Sequence, residues 1–158
     1  MDFWQYIYIT YLIITYGAAF ILMKPKRIKE MLPIALIGII VLFLTEEYLI
    51  TLGLYKFPNA ILPIFGVPFF HLLWAGAAAM IFMNFMPVDF AKKLLVILVF
   101  TLLTMLFEYF PEHHDKAQHL GKYSEIHDAI QDCISLILVV WFSEGLFGKR
   151  IHSNKKNY

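Results

Sequence analysis

Five apolar runs alternate with short polar stretches along this chain. Residues 3–23 carry no charge, and a basic cluster of Lys24, Lys26, Arg27 and Lys29 follows them directly. Further runs cover 33–55, 62–86, 94–110 and 128–148. About 20 apolar residues at 1.5 Å rise cross a hydrocarbon core of ~30 Å, so each run reads as a transmembrane helix. Pro33 suits the first turn of the second helix. Pro63 and Pro68 make the start of the third irregular, with room for a re-entrant or broken piece before His71. The fourth run is the shortest, and the stems of Lys92 and Lys93 extend it toward the interface. No basic residue precedes the first run, which therefore reads as a retained helix and not a cleaved leader.

The expectation is an all-α, polytopic transmembrane helix bundle of five spans in a single domain, 1–158. Composition agrees: the 158 residues are 60% hydrophobic and 16% charged, against ~45–50% and ~25% in soluble domains. The net charge of +1 hides a pattern. Ten basic residues lie in 24–29, 87–93 and the tail 149–158, and three (Lys56, Lys116, Lys122) lie in the alternate loops. The positive-inside rule then puts the N-terminus outside and the C-terminus in the cytoplasm of a bacterial cell membrane. Basic residues in short clusters between apolar runs leave no nucleic-acid footprint. Cys133 stands alone, so no internal disulfide forms. Small residues at 17–19 and 75–79 read as helix-packing seams, with a homo-oligomer face as the alternative.

The polar loop 111–127 concentrates the candidate chemistry. With the residue that follows it, it holds His113, His114, His119 and His127 among Glu112, Asp115, Glu125 and Asp128. Carboxylates inside hydrocarbon cost ~2.5–3.5 kcal/mol each on insertion scales, which singles out Glu46 and Glu47. On a helix the two point ~100° apart, so one faces the interior and the other a separate polar contact. His71, Glu108, Asp128 and Asp132 fall at similar depth, the two aspartates one turn apart on one face.

Three readings follow. In the first these groups are structural: Glu46 or Glu47 pairs with His71, Glu108 and Asp132 bond neighbouring polar groups, and Glu144 pairs with Lys149 and Arg150. In the second a divalent metal is held by His113, His114, His127, Asp128 and Asp132, with Glu108, Glu46 or Glu47 as catalytic candidates. In the third Glu46 and Glu47 relay protons or ions. No HExxH, nucleophile elbow, phosphate loop or dinucleotide fingerprint occurs. Glu108, Glu112, Asp115 and His119 would share a face if the fourth helix ran outward, but Pro111 argues against that. A short amphipathic piece on the membrane surface is the other option.

The order of features resembles small uncharacterised multi-pass membrane proteins of spore-forming Firmicutes. It rests on Lys26-Arg27-Ile-Lys-Glu30 after helix one and on a helix two ending in Gly53-Leu-Tyr-Lys-Phe-Pro58. A Pro-rich start to helix three, Phe85-Met-Pro-Val-Asp-Phe-Ala-Lys-Lys93 and Glu108 ending helix four continue it. The Asp128/Asp132 pair and the His113-His114 doublet depart from that pattern. The resemblance implies architecture and envelope location and transfers no catalytic residue. The expected function is a non-enzymatic membrane component that binds a protein partner or an ion through the outer loop. A membrane-embedded metal-dependent hydrolase or transferase is the alternative.

Overall fold

The computed structural model describes residues 6–148 and 151; the rest of the basic tail and the first residues of the first run lie outside the described residues. Among the described residues, five helices run back and forth between two ends: α1 (Ile7–Leu22), α2 (Pro25–Thr51), α3 (Phe69–Phe85), α4 (Phe90–His113) and α5 (Glu125–Phe147). Three of them, α2, α4 and α5, are long and apolar enough to cross a membrane. The other two have 16 and 17 residues, about 24 and 26 Å at helical rise. Short strands β1 (Tyr55–Lys56), β2 (Pro63–Ile64), β3 (Val67–Pro68) and β4 (Gln118–His119) gather at one end, the sheet end. The opposite, basic end carries Lys24, Lys26, Arg27, Lys29, Lys92 and Lys93.

The helix ends differ from the sequence reading at several places: α2 ends at Thr51 and not 55, α4 starts at Phe90 and not 94, α5 starts at Glu125 and not 128, and three further differences shape the fold. The second helix starts at Pro25 and not Pro33. Pro25 fixes φ at the first helical position, so the basic cluster winds into the helix, and Pro33 sits inside it. The third starts at Phe69, because residues 63–68 form the hairpin β2–β3, pairing Pro63 with Pro68 and Ile64 with Val67. Its two turn residues, Phe65 and Gly66, both have positive φ (49° and 91°), as a two-residue hairpin of that type requires.

The fourth helix does not stop at Phe110 but passes Pro111 to reach His113. Pro111 has no N–H to return to the Phe107 carbonyl, the usual reason for a helix to end there. The Tyr11 hydroxyl of α1 donates to that carbonyl at 2.7 Å and replaces the missing bond. Tyr11→Phe should therefore leave a shielded carbonyl unpaired and cost about 1–3 kcal/mol. Chemical unfolding in detergent would check it, and a loss below ~0.5 kcal/mol would remove this account of the helix extension.

The helices form a curled row. α3 packs between α1 and α2, α2 carries α5 on its far side, and α5 carries α4. The α2–α3 contact is backbone-close: a Cβ on Gly38 would overlap the Ala79 side chain, and one on Gly76 would lie 3.2 Å from the Ala35 carbonyl. The 75–79 small residues thus face a helix of the same chain. Gly17 has nothing within 4 Å of its Cβ position, so of the 17–19 cluster it is Ala19 that is buried.

The core is apolar, yet large apolar side chains also stand exposed along α1, α2, α4 and α5, among them Ile21, Leu36, Leu95, Leu102 and Trp141, while Glu46, His71, Asp128 and Asp132 are buried.

Candidate functional site

The helix extension past Pro111 determines the site. It places Glu112 one turn beyond Glu108 on the same side of α4. From there the chain turns back through Asp115, at positive φ (55°), and enters β4. That strand pairs antiparallel with β1, setting His119 opposite Tyr55 and Gln118 opposite Lys56. Asp128, in the first turn of α5, is brought alongside.

The result is a cluster of Glu112, His119 and Asp128 whose ligand-capable atoms all lie within 4.8 Å of one another. His119 Nε2 is 3.1 Å from Glu112 Oε1 and also contacts Asp128 Oδ2. The Tyr55 hydroxyl donates to Glu112 Oε1 at 3.4 Å. Burial, and next the charge of Glu46, push the Tyr55 phenol well above its ordinary range, so it remains a donor. The rings of Tyr55 and Tyr123, themselves 6.1 Å apart, both pack against the imidazole at centroid distances of 5.4 and 5.5 Å. The imidazole thus packs against a pair of aromatic side chains, with its Nε2 turned to the acids.

A cleft of about 110 Å³ opens against the cluster, lined by Met105, Glu108, Tyr109, Glu112, Glu125 and Asp128. Glu108 Oε2 is shielded from solvent with no hydrogen-bond partner among the described residues. Deeper, the Thr104 hydroxyl donates to Asp132 at 2.5 Å.

Glu46 and Glu47 separate as their spacing implies. Glu46 is buried, with His71 Nε2 at 3.9 Å and the Gln131 amide at 3.5 Å. Gln131 in turn accepts from the Tyr123 hydroxyl at 2.7 Å, which links this pair to the tyrosine beside His119. His71 stacks on Trp74 and meets Tyr8 edge-on. Glu47 accepts from Thr51 at 3.0 Å on the same helix, away from the cluster. Among the described residues, no hydrogen bond links the two glutamates.

Of the five ligand candidates read from sequence, only Asp128 lies in the cluster. The exposed His113 stacks on Tyr109, one turn earlier, and His114 packs edge-on against His113. His127 is exposed on the outer turn of α5, its Nδ1 2.8 Å from Ser124 Oγ. Asp132, one turn below Asp128, is engaged by Thr104. Glu112 and His119 take the places assigned to these residues. The signal for Glu112 is its spacing from Glu108, masked by Pro111, whereas His119 arrives through the pairing of β4 with β1. At the basic end Glu144 pairs with Lys93 Nζ, at 2.5 and 2.7 Å; Lys149 and Arg150, its expected partners, lie outside the described residues.

No protein-family model, curated protein or solved structure matches the chain, so the reading of the site stands on its own geometry.

Proposed function

We propose that this is a polytopic protein of a bacterial cytoplasmic membrane, sheet end outward, which binds a divalent cation at Glu112, His119 and Asp128. Membrane residence is supported by the exposed apolar side chains along α1, α2, α4 and α5, since soluble monomers rarely expose patches beyond a few hundred Å². The outward orientation is supported by the ten-to-three basic asymmetry. The single observation behind the cation is the convergence of one imidazole and two carboxylates within 4.8 Å. Two acids alone would repel; a cation among them and a neutral imidazole removes that cost. One nitrogen and two carboxylate ligands suit zinc, manganese or iron(II) better than calcium, which takes oxygen only.

A second reading, a metal-dependent hydrolase or transferase, is favoured by Glu108. Its unpartnered Oε2 and the cleft wall it forms are what a general base beside a metal-bound water needs. In that case Glu108→Gln retains the ion and loses turnover.

Elemental analysis of detergent-purified protein tests the cation reading. Near-stoichiometric metal is expected in the parent, and its loss in a Glu112→Gln/His119→Ala variant that still purifies as a helical species. A parent that stays metal-free after supplementation with zinc and manganese would overturn it and leave the loop as a docking segment for a protein partner.

A further inference from the structure

The row of helices leaves a gap between its two ends, α1 and α4, backed by α3. It forms an apolar crevice of about 460 Å³ whose lining includes Ile14, Ala18, Leu22, Phe85, Leu103 and Phe107. That volume lies within the ~300–1,000 Å³ of ordinary ligand pockets. Its lining on α3 runs from Trp74 to Phe85, about 16 Å of helix, close to half of a ~30 Å hydrocarbon core. At its upper end the Tyr11 hydroxyl bond to the Phe107 carbonyl, with the two rings edge-on at 5.0 Å, ties α1 to α4. At its lower end Leu22 is followed along the chain by Lys24, Lys26 and Lys29, and Phe85 by Lys92. The Asp89 carboxylate there is engaged as the N-cap of α4, accepting from the Lys92 N–H at 3.0 Å, and Glu30 is paired with Arg27.

We propose that this crevice holds one acyl chain of an anionic glycerophospholipid drawn from the leaflet at the basic end, its phosphate placed among Lys24, Lys26, Lys29 and Lys92. The depth matches one leaflet, the upper tie stops the chain, and the lysines complement the charge of the head group. Each exposed lysine near an anionic surface adds about 1 kcal/mol, so two of them set a preference of more than tenfold. The proposal shares membrane residence with the function above and is independent of the cation site.

Native mass spectrometry of the full chain, released from micelles doped with equal phosphatidylglycerol and phosphatidylcholine, tests it. One retained phosphatidylglycerol per chain is expected, in more than tenfold excess over phosphatidylcholine. Ala18→Phe, which fills the crevice from α1, should remove the adduct, and Leu103→Trp should do the same from α4 if the first variant loses helicity. Lys26→Gln/Lys92→Gln should keep a lipid but lose the preference. Equal retention of both lipids by the parent, an adduct unchanged in the two filled variants, or a two-copy species in place of the adduct would each overturn it.

Discussion

Leucine in place of Gly38 is expected to prevent the bundle from assembling. Even a Cβ at this position overlaps the Ala79 side chain and sits 3.0 Å from the Ala75 carbonyl oxygen. Neither neighbour is a flexible chain end that could swing aside, so α2 and α3 would have to separate. Overpacking a core costs about 1–3 kcal/mol where side chains can shift, and more where backbone blocks the way. The position is also structurally central: α1 rests on α3 and α5 on α2, so parting the middle pair loosens both neighbours. Total stabilities of ~5–15 kcal/mol leave little margin. Gly38→Ala should lose ~1–3 kcal/mol in a denaturant titration, and Gly38→Leu should fail to give a monodisperse detergent-purified species. Gly17→Leu is the control, since nothing lies within 4 Å of its Cβ position. Equal behaviour of the two leucine variants would show that the α2–α3 contact is not what holds the bundle.

The parts of this architecture that follow from local rules are legible in the sequence, and the site is not. Apolar runs and the alternation of basic clusters locate the five helices, because burial in hydrocarbon and helical rise act on contiguous residues. Separating Glu46 from Glu47 needs only the 100° step of a helix. The metal candidates depend on which distant segments meet. His119 reaches the cluster because β4 pairs with β1, an alignment of Tyr55 with His119 that no periodicity within either segment announces. Glu112 reaches it because α4 survives Pro111, and that depends on the hydroxyl of Tyr11 in α1, 96 residues before the Phe107 carbonyl it bonds. The intrinsic effect of proline argues for a helix end, and a tertiary hydrogen bond reverses the outcome. The His113-His114 doublet stands out by composition, yet helix geometry stacks His113 on Tyr109, and neither histidine enters the cluster.

The cation site makes a sharp distinction among the histidines. His119→Ala should weaken zinc or manganese binding by more than ~100-fold, since loss of merely supporting groups already costs ~10–100-fold. Asp128→Ala should be equally severe, because it removes one of three ligands. Tyr55→Phe removes only the hydroxyl that donates to Glu112, so its expected effect is nearer tenfold. By contrast His113→Ala/His127→Ala should leave affinity within about twofold, a difference of under ~0.5 kcal/mol, since neither ring enters the cluster. Isothermal titration of the purified protein with each ion, at fixed pH and in a non-chelating buffer, reads all four. Acidification should weaken binding in the parent, because ligands must shed protons to hold a metal. The alternative arrangement, in which His119 merely bridges two carboxylates by hydrogen bonds, predicts something different. His119→Ala would then reduce stability, since two acids lose the group between them, while the double histidine variant and the parent would bind no metal at all. Affinity lost in the double variant and kept in His119→Ala would move the site to the exposed edge of the loop and discard the cluster. The pattern across these variants therefore decides between a ligand and a clasp, two roles that share one arrangement of side chains.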